Sequence, residues 1–182
     1  MLLGHPHSMR REGPMLSFLF RGLTTQEPRG AALFDALTAE ARRPDWYVDG
    51  AVADTLDGRF AVLATVTALA LVRLESAGEA GDRLSVAVTE RFIEVMESEH
   101  RELGLGDPTL GKTVRKLVGM LAGRTELWRS ANETTWADAT RRSLYKGEVA
   151  SEALEHSAAA LRRFAQRLDT TPLERLEQGR IA

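Results

Sequence analysis

Residues 58–75 read GRFAVLATVTALALVRLE, a stretch with almost no polar face. On a helical projection Phe60, Leu63, Thr67, Ala70 and Leu74 mark one side, while Val62, Val66 and Leu69 widen it. A helix apolar nearly all round is stable only when other elements enclose it, so this segment must be central and the rest of the chain must wrap it. Its valines and threonines would also suit a strand, but the run is too long and no partner strands occur elsewhere. The 182 residues suffice for that wrapping within one domain, because a chain of this size buries about 70% of its unfolded surface.

The wrapping segments are helical by pattern. Residues 29–42 place Ala32, Leu33, Ala36, Leu37 and Ala41 on one stripe, and Pro44 closes it. A turn over 76–81 leads to a long amphipathic helix over 82–103, with Leu84, Val88, Phe92, Met96 and Leu103 inward and Glu90, Glu94, Glu97 and Arg101 outward. Gly104-Leu105-Gly106 stops it. Asp107 and Pro108 start the next, since proline there lacks only an N–H that the first helical turn leaves unpaired anyway. Leu110, Val114, Leu117, Val118 and Leu121 follow with helical period, and Gly123 separates them from a shorter segment through Trp128. Thr135 and Asp138 form a capping-box pair for residues 135–145. Ser151 caps a last long helix with Leu154, Ala158, Leu161, Ala165 and Leu168 inward, and Thr171 with Glu174 opens a final turn that Gly179 ends. The expected architecture is all-α: a single-domain bundle of about seven helices over residues 29–182, without internal repeats.

Residues 1–28 read as a flexible tail with a short apolar segment, and Met1 and Met15 are both candidates for the native start. The segment from Met15 to Phe20 is too short for a bilayer span, which needs ~20 apolar residues, and it has no signal-peptide cleavage site. Docking on the core is expected ahead of peripheral membrane contact, because interfacial helices carry a longer apolar face with more flanking cations.

Composition narrows the function. Hydrophobic residues at 43% and charged residues at 27% are ordinary for a soluble globular protein, which argues against a membrane-spanning architecture. Without cysteine there is no disulfide, thiolate metal site or cysteine nucleophile. A formal charge of −2 gives none of the basic excess that nucleic-acid binding draws on, so no nucleic-acid partner is expected.

Two strings suggest chemistry. Gly106-Asp107-Pro108-Thr109-Leu110-Gly111-Lys112-Thr113 satisfies the phosphate-loop pattern, and the corresponding reading is a small nucleotide-binding enzyme. That loop requires a strand delivering the chain into it and a later strand ending in a magnesium-binding Asp; the preceding residues are helical in pattern and no such strand follows. The favoured reading is that Asp107 and Pro108 start a helix with Lys112 on its exposed face. Glu97 and His100 have a di-iron-type spacing, but such a site needs a second motif and two more glutamates. Glu152 and Glu155-His156 on the last helix have the wrong spacing. Neither a metal, a cofactor nor a catalytic residue is expected, and the chain does not read as an enzyme.

The segment preceding the central helix, Trp46-Tyr47-Val48-Asp49-Gly50-Ala51-Val52-Ala53-Asp54-Thr55-Leu56-Asp57-Gly58-Arg59-Phe60, has no helical period. It is either a connector whose aromatics seal the core or a binding loop. Trp46-Tyr47-x-x-Gly50 followed by Asp54-Thr55-x-Asp57-Gly58-Arg59-Phe60 resembles the signature of the ubiquinol-cytochrome c chaperone family, assembly factors of respiratory complex III. Leu71-Val72-Arg73-Leu74, Gly106-Asp107, Gly111-Lys112-x-Val114-Arg115-Lys116, Gly123-Arg124 and Leu144-Tyr145 extend the likeness in order along the chain. The pattern differs at Val52 and at Leu127-Trp128.

The resemblance implies an all-α, non-enzymatic chaperone that binds cytochrome b or complex III intermediates, in mitochondria together with a small partner subunit at the ribosome exit. The Ala- and Arg-rich composition and the lack of an Arg- and Ser-rich transit peptide point to a bacterial member, cytoplasmic or peripheral at the inner membrane. Partner contact is expected from Trp46 and Tyr47, which give large area at low entropic cost, and from the basic face of Lys112, Arg115 and Lys116. Asp54, Thr55, Asp57, Gly58, Arg59 and Phe60 are expected to brace the loop on the central helix.

Overall fold

The computed structural model describes residues 29–102 and 110–182. Eight helices are described: α1 (Ala31–Ala41), α2 (Asp45–Val48), α3 (Leu56–Glu75), α4 (Gly78–Glu102), α5 (Leu110–Ser130), α6 (Trp136–Leu144), α7 (Ser151–Thr170) and α8 (Leu173–Glu177). The fold is all-helical, a single bundle-like domain. No helix among the described residues is long and apolar enough to cross a membrane. The expected apolar segment before residue 29 and the turn with its cap at 103–109 lie outside the described residues.

α3 is the axis of the bundle. It packs against α1, α4, α5, α6 and α7, and every residue from Val62 to Leu71 is buried. Thr65, inside this run, donates its hydroxyl to the Ala61 carbonyl at 2.7 Å, which is how a helix stores a buried hydroxyl at low cost. Leu84, Val88, Phe92 and Met96 of α4 are buried as their period demands. Phe92 meets Phe34 of α1 edge-on at 6.4 Å and Phe60 of α3 at 6.0 Å, so three helices share one aromatic cluster.

Several local expectations are corrected. α4 begins at Gly78 rather than Asp82, leaving a tighter turn, and a Cβ at Gly81 would overlap the Leu74 carbonyl, so glycine permits close entry. α5 runs unbroken through Gly123. Leu117, Leu121, Thr125 and Trp128 continue one buried stripe across that glycine, and their packing outweighs the ~1 kcal/mol that a mid-helix glycine costs. On α7 the buried residues are Ala153, Ser157, Ala160, Leu161, Phe164 and Leu168, while Leu154, Ala158 and Ala165 of the expected stripe are only half-buried.

The hydroxyl caps also differ. Ala150, not Ser151, occupies the N-cap of α7. Thr135 makes no side-chain cap on α6; its hydroxyl oxygen accepts from the Asn132 amide at 2.9 Å, and Asp138 pairs with Arg141 at 2.6 Å. Thr171 donates to the Arg167 carbonyl at 2.6 Å and accepts from the Ala182 amide at 3.0 Å, so it fastens the chain end instead of capping α8. Gly179 ends α8 with φ 69°. Arg73 closes the far end of the axis, donating from Nε to the Leu168 carbonyl at 3.1 Å and from Nη2 to the Thr171 carbonyl at 3.2 Å.

Candidate functional site: the entry to the central helix

The segment between α1 and α3 is not irregular throughout, since α2 forms a single helical turn behind Pro44. Its two aromatics finish α1. The Trp46 indole N–H donates to the Glu40 carbonyl at 2.8 Å, and the Tyr47 hydroxyl donates to the Ala41 carbonyl at 2.8 Å. Both carbonyls lie in the last turn of α1, where the regular helical donors run out; the Glu40 carbonyl also accepts from the Arg43 amide at 3.2 Å. Trp46 is 1% exposed. This placement corrects the expectation that Trp46 presents area to a partner: burial of a large indole whose single donor is already satisfied makes it a core residue. Tyr47 is half-buried, and burial pushes its hydroxyl pKa up, opposed by the neighbouring Arg59. Val48, the next residue, is 75% exposed.

Gly50 is required by proximity. A Cβ there would stand 2.5 Å from Ser157 Oγ and 2.6 Å from the Trp46 carbonyl. The following Ala51 adopts φ 48°, the left-handed region, at a cost of roughly 1 kcal/mol. A latch holds this conformation: the Tyr145 hydroxyl donates to the Gly50 carbonyl at 2.6 Å and meets Ser157 Oγ at 2.8 Å. It joins the loop to α7 from a residue just beyond α6. Burial pushes the Tyr145 hydroxyl pKa up, while the Ser157 hydrogen bond works against that shift. Tyr145→Phe should lower unfolding free energy by about 1–2 kcal/mol, read in a denaturant titration, because it strands a part-buried carbonyl and a buried serine.

The start of α3 is braced by several contacts. Thr55 is its N-cap, its side chain accepting from the Gly58 amide at 3.2 Å. Asp54 binds Arg59 at 2.7 Å and Asp57 binds Lys146 at 2.6 Å. Each arrangement holds its carboxyl below the usual range, chiefly through those hydrogen bonds, and Lys116 adds to the effect on Asp57. Gly58 admits the Ala53 carbonyl into space a Cβ would fill. Phe60 turns inward against Phe92. Leu56 is left 56% exposed.

The segment entering α3 thus leaves Val48 and Leu56 exposed and Tyr47 half-exposed, and carries Asp54–Arg59 and Asp57–Lys146 as exposed ion pairs. Lys116 of α5 borders it, since it acts on Asp57. Lys112, Arg115 and Lys116 are all exposed on one face of α5. Among the described residues no ion pair ties Lys112 or Arg115 to the loop. Val48, Leu56, Lys146, Tyr145 and Ser157 were not singled out as site residues from the sequence. Leu144-Tyr145 was visible as part of the family likeness, but Gly50, the partner of Tyr145, lies 95 residues away and leaves no local pattern.

Lys112 belongs to α5, so the part of the phosphate-loop string within the described residues is helical. No group of three or more His, Asp or Glu suited to a metal occurs among the described residues. The family model described as ubiquinol-cytochrome C chaperone matches residues 49–182. The chain belongs to that family. The family match begins just after the aromatic pair and takes in the loop, α3 and all that follows. A solved structure described as the crystal structure of the Cbp3 homolog from Brucella abortus superposes with a TM-score of 0.74 at 26% identity, over 92% of this chain and 95% of that one. No curated protein matches. Membership places this chaperone-family chain with complex III assembly and not with nucleotide enzymes; the nucleotide-binding alternative is not supported.

Proposed function

We propose that this family member binds cytochrome b, or complex III intermediates containing it, through the surface at the head of α3. The observation that carries the reading is the exposure of Val48 and Leu56 within the one segment that also carries the Asp54–Arg59 and Asp57–Lys146 ion pairs, since apolar anchors can supply affinity and polar neighbours set register. Tyr47 contributes its exposed edge, and Lys112, Arg115 and Lys116 extend the surface along α5 toward acidic groups of the client or of a small partner subunit. The role needs neither cofactor nor metal. A client made at the membrane places the chaperone on the cytoplasmic face of a bacterial inner membrane, in peripheral contact through its client.

Photo-crosslinking residues placed at 48 and 56 in cells should capture cytochrome b. Position 86 is the control, since Val86 on α4 is also exposed, at 58%, and lies away from this surface in sequence. Capture from position 86 but not from 48 or 56 would move the client surface elsewhere.

A further inference from the structure

The end of α6 is tied to other parts of the molecule at three of its residues. The Ser143 carbonyl, in the last turn of α6 where the regular helical donors run out, accepts from Arg124 Nη2 of α5 at 2.9 Å. The Tyr145 hydroxyl donates to the Gly50 carbonyl at 2.6 Å, and Lys146 Nζ reaches Asp57 at 2.6 Å. No carboxylate pairs with Arg124 among the described residues, and burial pushes its pKa down, so its charge is met by the negative end of the α6 dipole. The chain leaves the helix at Tyr145 with φ −123° and ψ 140°, so fixing Ser143 fixes where the next two side chains depart. Of those two, Tyr145 counts for more: the lysine pair is exposed on both sides and contributes little, whereas the tyrosine bond is part-buried.

We propose that residues 143–146 are a clasp that preorganises the segment entering α3 for its client, with Arg124 as the positioning residue that holds the clasp from α5. The segment needs one. Ala51 stands at φ 48°, a conformation disfavoured for any residue with a side chain, so residues 49–55 do not keep their course on local preference alone. Val48 and Leu56, the two exposed apolar residues, flank that stretch, so its conformation sets their separation. Holding two anchors at one separation before the client arrives removes an ordering cost from binding. Arg124 acts through the end of α6 and Tyr145 acts directly on Gly50. The client part of this inference rests on the function proposed above, and the clasp itself does not.

The test is amide hydrogen exchange on the full chain, read at Gly50 and Val52, whose N–H groups donate to the Asp45 and Trp46 carbonyls at 2.9 and 3.1 Å. Tyr145→Phe should speed exchange there by roughly fivefold or more, and Arg124→Gln should speed it in the same direction. The double variant should exchange little faster than the faster single, because both act through one clasp. Val88→Ala, a truncation at a fully buried position on α4, is the control for general destabilisation and should leave Gly50 and Val52 near their wild-type rates. Unchanged exchange in Tyr145→Phe, equal acceleration in Val88→Ala, or fully additive single effects would each overturn the proposal. In cells, capture of cytochrome b from a photo-crosslinker at position 48 should fall by roughly threefold or more in Tyr145→Phe and hold in Val88→Ala. Full capture by a variant whose segment exchanges faster would overturn the preorganising role. Absence of capture by the wild type would end the client reading, and the exchange rates alone would then decide the clasp.

Discussion

Trp46→Ala should lower the unfolding free energy by about 3–5 kcal/mol, the range for removing a fully buried large aromatic. Trp46 is 1% exposed within the main hydrophobic cluster, and its indole N–H satisfies the Glu40 carbonyl at 2.8 Å. Truncation opens a cavity and removes the shorter of two hydrogen bonds to the Glu40 carbonyl, which keeps the Arg43 amide at 3.2 Å. At roughly 2–4 °C per kcal/mol for a chain of this size, the melting temperature should fall by about 10 °C, as followed by circular dichroism. Trp46→Phe separates the two losses, since it keeps most of the volume and removes only the donor. A client-binding defect in Trp46→Ala would then report the state of the fold and not a missing contact. Melting of Trp46→Ala at the wild-type temperature would contradict this placement of the indole.

Gly58→Ala should be the next most damaging change, at about 3 kcal/mol, even though alanine is the better helix former. The reversal of sign comes from the Ala53 carbonyl, which occupies the space a Cβ at 58 would need. That carbonyl belongs to the loop turning into α3, and its backbone is pinned on one side by the Thr55 cap and on the other by buried Val52. Gly123→Ala is the matched control: it sits inside α5 with nothing within 4 Å of a new Cβ, so it should stabilise by roughly 0.5–1 kcal/mol. Thermal melts of the two variants side by side should move in opposite directions. Parallel shifts would show that helix propensity and not close approach governs position 58.

How far the sequence reveals the molecule depends on the range of each signal. Residues 58–75 and, within the described residues, 82–102 announced their helices because the stripe that is buried is also the stripe that is written locally, and Leu84, Val88, Phe92 and Met96 face the core accordingly. Gly123 misled because a glycine marks a helix end only when packing stops there, and the stripe through Thr125 and Trp128 does not stop. The hydroxyls of Thr135 and Thr171 misled because each found a nearer backbone partner than the cap its spacing suggested. α7 had the most regular apolar pattern, yet the fold turns it so that Leu154 and Ala158 line a groove.

At the site, the identities were legible and the orientations were not. Thr55, Asp54, Arg59 and Gly58 act within a few residues of one another, so their bracing geometry follows from spacing. Which aromatic of Trp46-Tyr47 turns inward depends on where the end of α1 lies, and the period of α1 does not state that. The pairing of Asp57 with Lys146 spans 89 residues and that of Tyr145 with Gly50 spans 95, both set by how α6 and α7 return to the head of α3. The exposed pair Val48 and Leu56 was hidden for the same reason: either could have completed a core whose outline only the fold defines.

The most direct test of the central claim is the difference spectrum of cytochrome b, with complex III activity, in cells lacking the gene and complemented with either wild type or the double variant Val48→Asp/Leu56→Asp. Both substitutions fall on exposed residues, so melting of the purified variant should change by no more than about 0.5 kcal/mol in stability. Loss of cytochrome b absorbance and of complex III activity in the deletion, restored by wild type and not by the variant, is the predicted result. Normal cytochrome b absorbance and normal complex III activity in the deletion would contradict it.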